Sequence, residues 1–194
     1  PFIAIALAAA FTAILSASGR YIEVVYPPST QPGGLKFGVT YTAWIPDGVK
    51  TLRGVIVHQH GCGAGAAKGG QTAAYDLHWQ ALALKWDMAL LGPSYHVERD
   101  EQGCGWSTAD DGSAKAFLQG LTDLAAKSGH PELDRIPWAL WGHSGGGAFL
   151  PSSMNLSSAA ASYAALILLS VSLMGALALA LGGNSSAAAR GPTE

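Results

Sequence analysis

Late in the chain, Trp141-Gly142-His143-Ser144-Gly145-Gly146-Gly147 sets a hydroxyl nucleophile among glycines. The run follows Ile136–Trp141, an apolar strand-like segment whose proline, Pro137, falls near its start, where a strand tolerates one. Gly-x-Ser-x-Gly directly after a strand is the pattern of a nucleophile elbow. Ser144 would stand on a strained strand-to-helix turn with its hydroxyl exposed, and flanking Cβ atoms would clash there. The helix that follows would present its first amides, Gly145 N–H among them, to a developing oxyanion. A glycine-rich turn without chemistry is the competing reading, and the strand placement disfavours it.

Acyl transfer needs a second oxyanion donor from an earlier strand end. After the buried-type run Gly54–Val57 comes His58-Gln59-His60-Gly61-Cys62-Gly63-Ala64-Gly65. The His-Gly step and the small residues after it let backbone amides approach the same oxyanion, with Cys62 N–H the first choice and Gly63 N–H the second. His58 and His60 are expected to brace this loop by hydrogen bonds. A His pair with neither a carboxylate nor a third His nearby does not make a zinc site, so no metal and no cofactor is expected.

The elements that must position these groups alternate between strand and helix. Arg20–Tyr26 and Lys36–Ile45 are rich in Val, Tyr, Ile and Thr and are separated by prolines and glycines, which predicts two antiparallel strands. Gly54–Val57 and Met88–Leu91 read as short strands buried on both faces, the second stopped by Gly92-Pro93. Helical spacing marks 72–85 and, more clearly, Ser113–Lys127, where Ala114, Phe117, Leu118, Leu121, Leu124 and Ala125 form one stripe. Asp111 or Ser113 is expected to cap that second helix, and Gly129 and Pro131 to end it. Strand, helix, strand, helix, strand implies parallel strands with right-handed crossovers, an α/β fold.

The ends differ from this middle. Phe2–Leu15 is a charge-free apolar run followed by Ser16, Ala17 and Ser18, which matches the core and cleavage site of a secretory signal peptide over 1–18 without its basic leader. Residues 19–150 then form the α/β region and 151–194 a tail rich in Ala, Ser and Leu. No Asp, Glu, Lys or Arg lies between Arg135 and Arg190. Ala164–Leu181 would span roughly 27 Å as a helix, close to a bilayer core of about 30 Å, so a transmembrane helix is one reading. Low-complexity sequence from a shifted reading frame is the other. With 12% charged residues, a formal charge of −2 and scattered Lys and Arg, the 194-residue chain has no nucleic-acid-binding footprint.

The elbow, the His60-Gly61 loop and their order along the strands resemble the α/β-hydrolase superfamily. The stretch Gly54–Phe149 is similar to secreted esterases of the polyhydroxybutyrate-depolymerase and feruloyl-esterase-like group. The resemblance covers about half of the chain. It implies an eight-stranded, mostly parallel sheet, of which this chain would hold the front half. It also implies hydrolysis of a small or polymeric ester through Ser144, with an acid and a His supplied later in sequence. There the chain departs from the pattern: after Ser144 there is no His and no Asp, and Glu194 is the one carboxylate side chain. His143 is expected to point away from the hydroxyl. Without a base the serine stays weakly nucleophilic, so the chain is expected to be nearly inactive. Loss of later strands would leave the elbow strand as an apolar edge, and Pro151 is expected to interrupt the helix after Ser144.

The segment Ser94–Asp111 is long for a loop and carries Tyr95, His96 and Trp106, which points to a substrate-side loop. Its acids, Glu98 and Asp100 among them, read as a solvated surface. Cys62 and Cys104 lie in the two rim loops and are expected to pair in an exported, secreted or periplasmic chain, two separate thiols being the alternative. A membrane-anchored, noncatalytic α/β binding module is the competing function.

Overall fold

The computed structural model describes residues 18–63, 73–98, 103–108 and 111–153. The signal-peptide segment before Ser18 and the tail beyond Ser153, including 164–181, lie outside the described residues. Among the described residues no helix is long and apolar enough to cross a membrane.

Five strands form one sheet: β1 (Gly19–Tyr26), β2 (Gly38–Pro46), β3 (Gly54–Gln59), β4 (Met88–His96) and β5 (Trp138–Gly142), in spatial order β1-β2-β4-β3-β5. The pairs β4–β3 and β3–β5 are parallel, with Ile56 opposite Leu90 on one side and Ala139 on the other. The pairs β1–β2 and β2–β4 are antiparallel. The sheet is therefore mixed, which corrects the mostly parallel one expected. Only the pairs that include β3, which are reached by helical crossovers, run parallel.

Among the described residues three helices follow the parallel strands: α1 (Leu77–Lys85), α2 (Ser113–Ser128) and α3 (Gly145–Ser153), with a 3-10 turn at Pro131–Asp134. Alternate strand residues feed two cores. Val55, Val57, Ala89, Leu91 and Leu140 face α2 and α3, where Phe117 meets Tyr41 and Trp138 edge-on and Phe149 closes the layer. Ile56 and Leu90 face α1 in a smaller cluster with Trp44 and Ala83.

Three local expectations need correction. Strand β4 does not stop at Gly92-Pro93 but runs to His96, with Pro93 opposite Tyr41. Its pairing with β3 ends at Leu91, so among the described residues Pro93 sits beyond the parallel ladder, where a strand tolerates proline. Neither Asp111 nor Ser113 caps α2: the cap is Gly112 at φ +83°, and Ser113 Oγ donates to Thr108 O at 2.8 Å. A Cβ on Gly112 would stand 2.3 Å from Leu35 N, so only glycine fits where the loop crosses. Pro151 does not end α3, which continues to Ser153. At the other end of α2, Gly129 closes the helix in the left-handed region at φ +76°.

Candidate active site

β5 runs straight into the turn that bears Ser144. Ser144 is exposed and has φ +53°, left-handed backbone that an L side chain rarely adopts. The turn is closed by Gly146 N–H donating to His143 O at 3.0 Å and Ala148 N–H donating to Ser144 O at 3.2 Å. Steric crowding explains its glycines. A Cβ on Gly142 would lie 2.9 Å from Gly146 C, and one on Gly146 only 2.4 Å from His60 O and 2.7 Å from Gln59 O. The first turn of α3 thus sits directly on the end of β3.

The loop after β3 closes over the turn that bears Ser144. A Cβ on Gly61 would stand 3.1 Å from His143 Nε2 and 3.4 Å from the Ser144 Cβ, so this backbone passes next to the serine. Gly63 N–H donates to Gly103 O at 3.3 Å. That bond occupies the Gly63 amide, the second choice for an upstream donor. Cys62 and Cys104 are joined in a disulfide, and the Cys62 Sγ lies 2.0 Å from where a Cβ on Gly145 would be. The bridge therefore rests against the amide-bearing first residue of α3.

His60 is buried, and its Nδ1 pairs with the carbonyl of Gly61. Against a carbonyl that nitrogen must carry the proton, which leaves Nε2 as the bare one. Burial lowers the His60 pKa, so the neutral form is favoured. His58 packs elsewhere: its ring lies on the α1 face, edge-on to Trp141 at 4.3 Å and 5.1 Å from Trp79. Burial pushes its pKa down to about 4. His58 is thus an aromatic-core residue of β3 rather than a brace of the loop.

The residues expected to line a substrate loop occupy other places. Tyr95 and Trp106 are fully buried and stacked on each other at 4.5 Å, with His60 edge-on to Trp106 at 5.0 Å. They support the floor beneath the loop. Tyr95 belongs to β4, whose extension past Pro93 carries it into the sheet. His96 is exposed at the end of β4, where its Nε2 meets Thr40 Oγ1 of β2 at 2.9 Å, two strand positions away from β5. Among the described residues no three His, Cys, Asp or Glu side chains are grouped to hold a metal. The support that sequence reasoning missed is the aromatic floor. Its signal was present in the density of Trp, Tyr and His around the strand ends, although nothing local distinguishes a buried Trp from an exposed one.

No protein-family model matches the chain, and no curated protein matches it. Among solved structures it is similar to the PEG-bound complex of a novel cold-adapted esterase from an Arctic intertidal metagenomic library. That match has 14% identity and a TM-score of 0.44 over 74% of this chain and 57% of the other. It is also similar to the zinc bound structure of a novel cold-adapted esterase from an Arctic intertidal metagenomic library, at 14% identity and a TM-score of 0.39 over 73% and 55%. The chain spans little more than half the length of either, and likenesses of this degree carry no argument about function.

Proposed function

We propose that Ser144 is the nucleophile of a carboxylic ester hydrolase, and that this chain carries the nucleophile and oxyanion half of its site. In this reading the Ser144 hydroxyl attacks the ester carbonyl, and Gly145 N–H and Cys62 N–H receive the charge that develops on the carbonyl oxygen. The alkoxide leaves, and water releases the acyl group from the serine in a second step. One observation carries the reading: an exposed serine is held at φ +53° between a strand and a helix N-terminus. Holding a non-glycine residue there costs about 1–3 kcal/mol, and such strain clusters at functional sites. The substrate is a small or polymeric ester. The disulfide supports an exported setting, because thiols stay reduced in the cytosol.

The base and its orienting acid come from no residue after Ser144 in this sequence, so the chain alone turns over esters near background. The test is therefore covalent. At high probe concentration and long exposure, slow phosphonylation by a fluorophosphonate should favour Ser144, where the backbone amides stabilise the charged phosphoryl oxygen, over every other exposed serine, as mapped by peptide mass spectrometry. Ser144→Ala should remove that adduct. Labelling spread evenly over exposed serines would refute the elbow as a reactive site. Rapid p-nitrophenyl ester turnover lost on Ser144→Ala would keep the nucleophile but show that an upstream group serves as base.

A further inference from the structure

The loop that carries Cys62 and the turn that carries Cys104 meet at the first residue of α3. Trp106 anchors that turn: it is fully buried, stacked on Tyr95 of β4 at 4.5 Å and 6.4 Å from Phe149 of α3. Ser107 N–H donates to Cys104 O at 2.9 Å and closes the turn. The disulfide and the Gly63 N–H bond to Gly103 O at 3.3 Å tie the loop after β3 to this anchor. Both sulfurs rest against Gly145: Cys62 Sγ is the atom nearest to where its Cβ would stand, and Cys104 Sγ lies 3.6 Å from that point. Positions 62, 104 and 145, far apart in sequence, are thus held together around one covalent link.

We propose that the Cys62–Cys104 bond is the positioning element that arms the Ser144 site, so that the folded chain is unreactive as a dithiol and oxidation switches it on. The inference rests on the ester-hydrolase reading and adds regulation to it. In that reading the Cys62 and Gly145 N–H groups share the developing charge, and the bridge that starts at one residue is packed against the other. Once the bond is broken, the sulfurs must part to ordinary non-bonded contact, about 3.5–4.0 Å. Cys62 Sγ cannot move toward α3, because Gly145 is already in contact with it. The relief is therefore outward movement of the loop backbone on the order of 1 Å, and a misplacement of that size costs about a hundredfold in a preorganised site. Arming is a thiol–disulfide exchange. The thiolate of one cysteine attacks a disulfide oxidant and forms a mixed disulfide. The thiolate of the other then attacks the first cysteine's sulfur, closing the Cys62–Cys104 bond and releasing the oxidant as a dithiol. Two electrons and two protons pass to the oxidant. A reducing cytosol keeps the site off, and an oxidising compartment turns it on.

The test uses the purified oxidised chain and its Cys104→Ser variant, which keeps Cys62 and its amide. Each is incubated with the fluorophosphonate, with and without dithiothreitol. Peptide mass spectrometry follows the Ser144 adduct over time, while ellipticity at 222 nm reports the fold. Reduction of the native-sequence chain should slow Ser144 labelling at least about tenfold at unchanged ellipticity, and reoxidation with oxidised glutathione should restore it. Cys104→Ser should label slowly and ignore the reductant; should it misfold, reduction and reoxidation of the native-sequence chain decide by themselves. A merely structural bridge would lower the urea midpoint yet leave the labelling rate of the folded chain unchanged. That result would overturn the proposal while keeping Ser144 as nucleophile. Loss of the 222 nm signal on reduction would also overturn it, since the bond would then hold up the fold. Labelling of the oxidised chain without preference for Ser144 would defeat the ester-hydrolase reading and this inference together.

Discussion

Gly146 and Gly147 are neighbours in one helix, yet replacing each with alanine should move stability in opposite directions. At Gly146 the added Cβ would fall 2.4 Å from His60 O and 2.7 Å from Gln59 O, both backbone atoms at the end of β3. A carbon approaching a carbonyl oxygen normally rests at about 3.3–3.6 Å, so the first turn of α3 must retreat by nearly 1 Å. Forcing extra atoms into packed surroundings costs about 1–3 kcal/mol. At Gly147 the nearest atom is Gly142 O at 3.6 Å, ordinary contact, and its φ is not positive. There alanine should gain the usual helix advantage over glycine, about 0.5–1 kcal/mol. Both residues lie in α3 and share the helix gain, so the two variants should differ by the packing cost, about 1–3 kcal/mol in unfolding free energy, measured by urea titration followed at 222 nm with the disulfide intact. Gly146→Ala should also slow fluorophosphonate labelling, because the Gly145 amide moves with the turn. Equal stabilities, or Gly146→Ala the more stable, would refute the claim that α3 seats directly on β3.

Ser144→Gly should raise stability by about 1 kcal/mol while abolishing probe labelling, because glycine accepts φ +53° freely; a loss of stability would show that the turn is not strained. His58 is held neutral by burial, so its native pKa of about 4 lies below the ordinary 6.5. Its contribution is then fully present above pH 6.5 and is lost as pH falls toward 4, and His58→Gln should flatten the stability profile in that window. The bridge between Cys62 and Cys104 closes a loop with a sequence separation of 42. Its removal by Cys104→Ser should lower the unfolding free energy by about 2–4 kcal/mol, read from the same urea titration.

Much of this protein is legible residue by residue. The stripe from Ala114 to Ala125 marks α2 because helical period is a local property. The short apolar runs at Gly54 and Met88 mark strands for the same reason, and Gly142-x-Ser144-x-Gly146 marks the tight strand-to-helix turn because glycines are needed wherever backbone meets backbone. Three features depended on partners far away in sequence. β4 continues through Pro93 only because β2 pairs with it there, which no pattern inside β4 records. Tyr95 and Trp106 look like rim residues in sequence but are buried, since they stack on each other against His60, a residue far away in sequence. The Gly63 amide is spent on a hydrogen bond to Gly103 O, a partner far away in sequence that no local pattern names. Local sequence sets which element forms and which atoms it offers; the contacts that use up or bury those atoms are long-range, and only the packed sheet determines them.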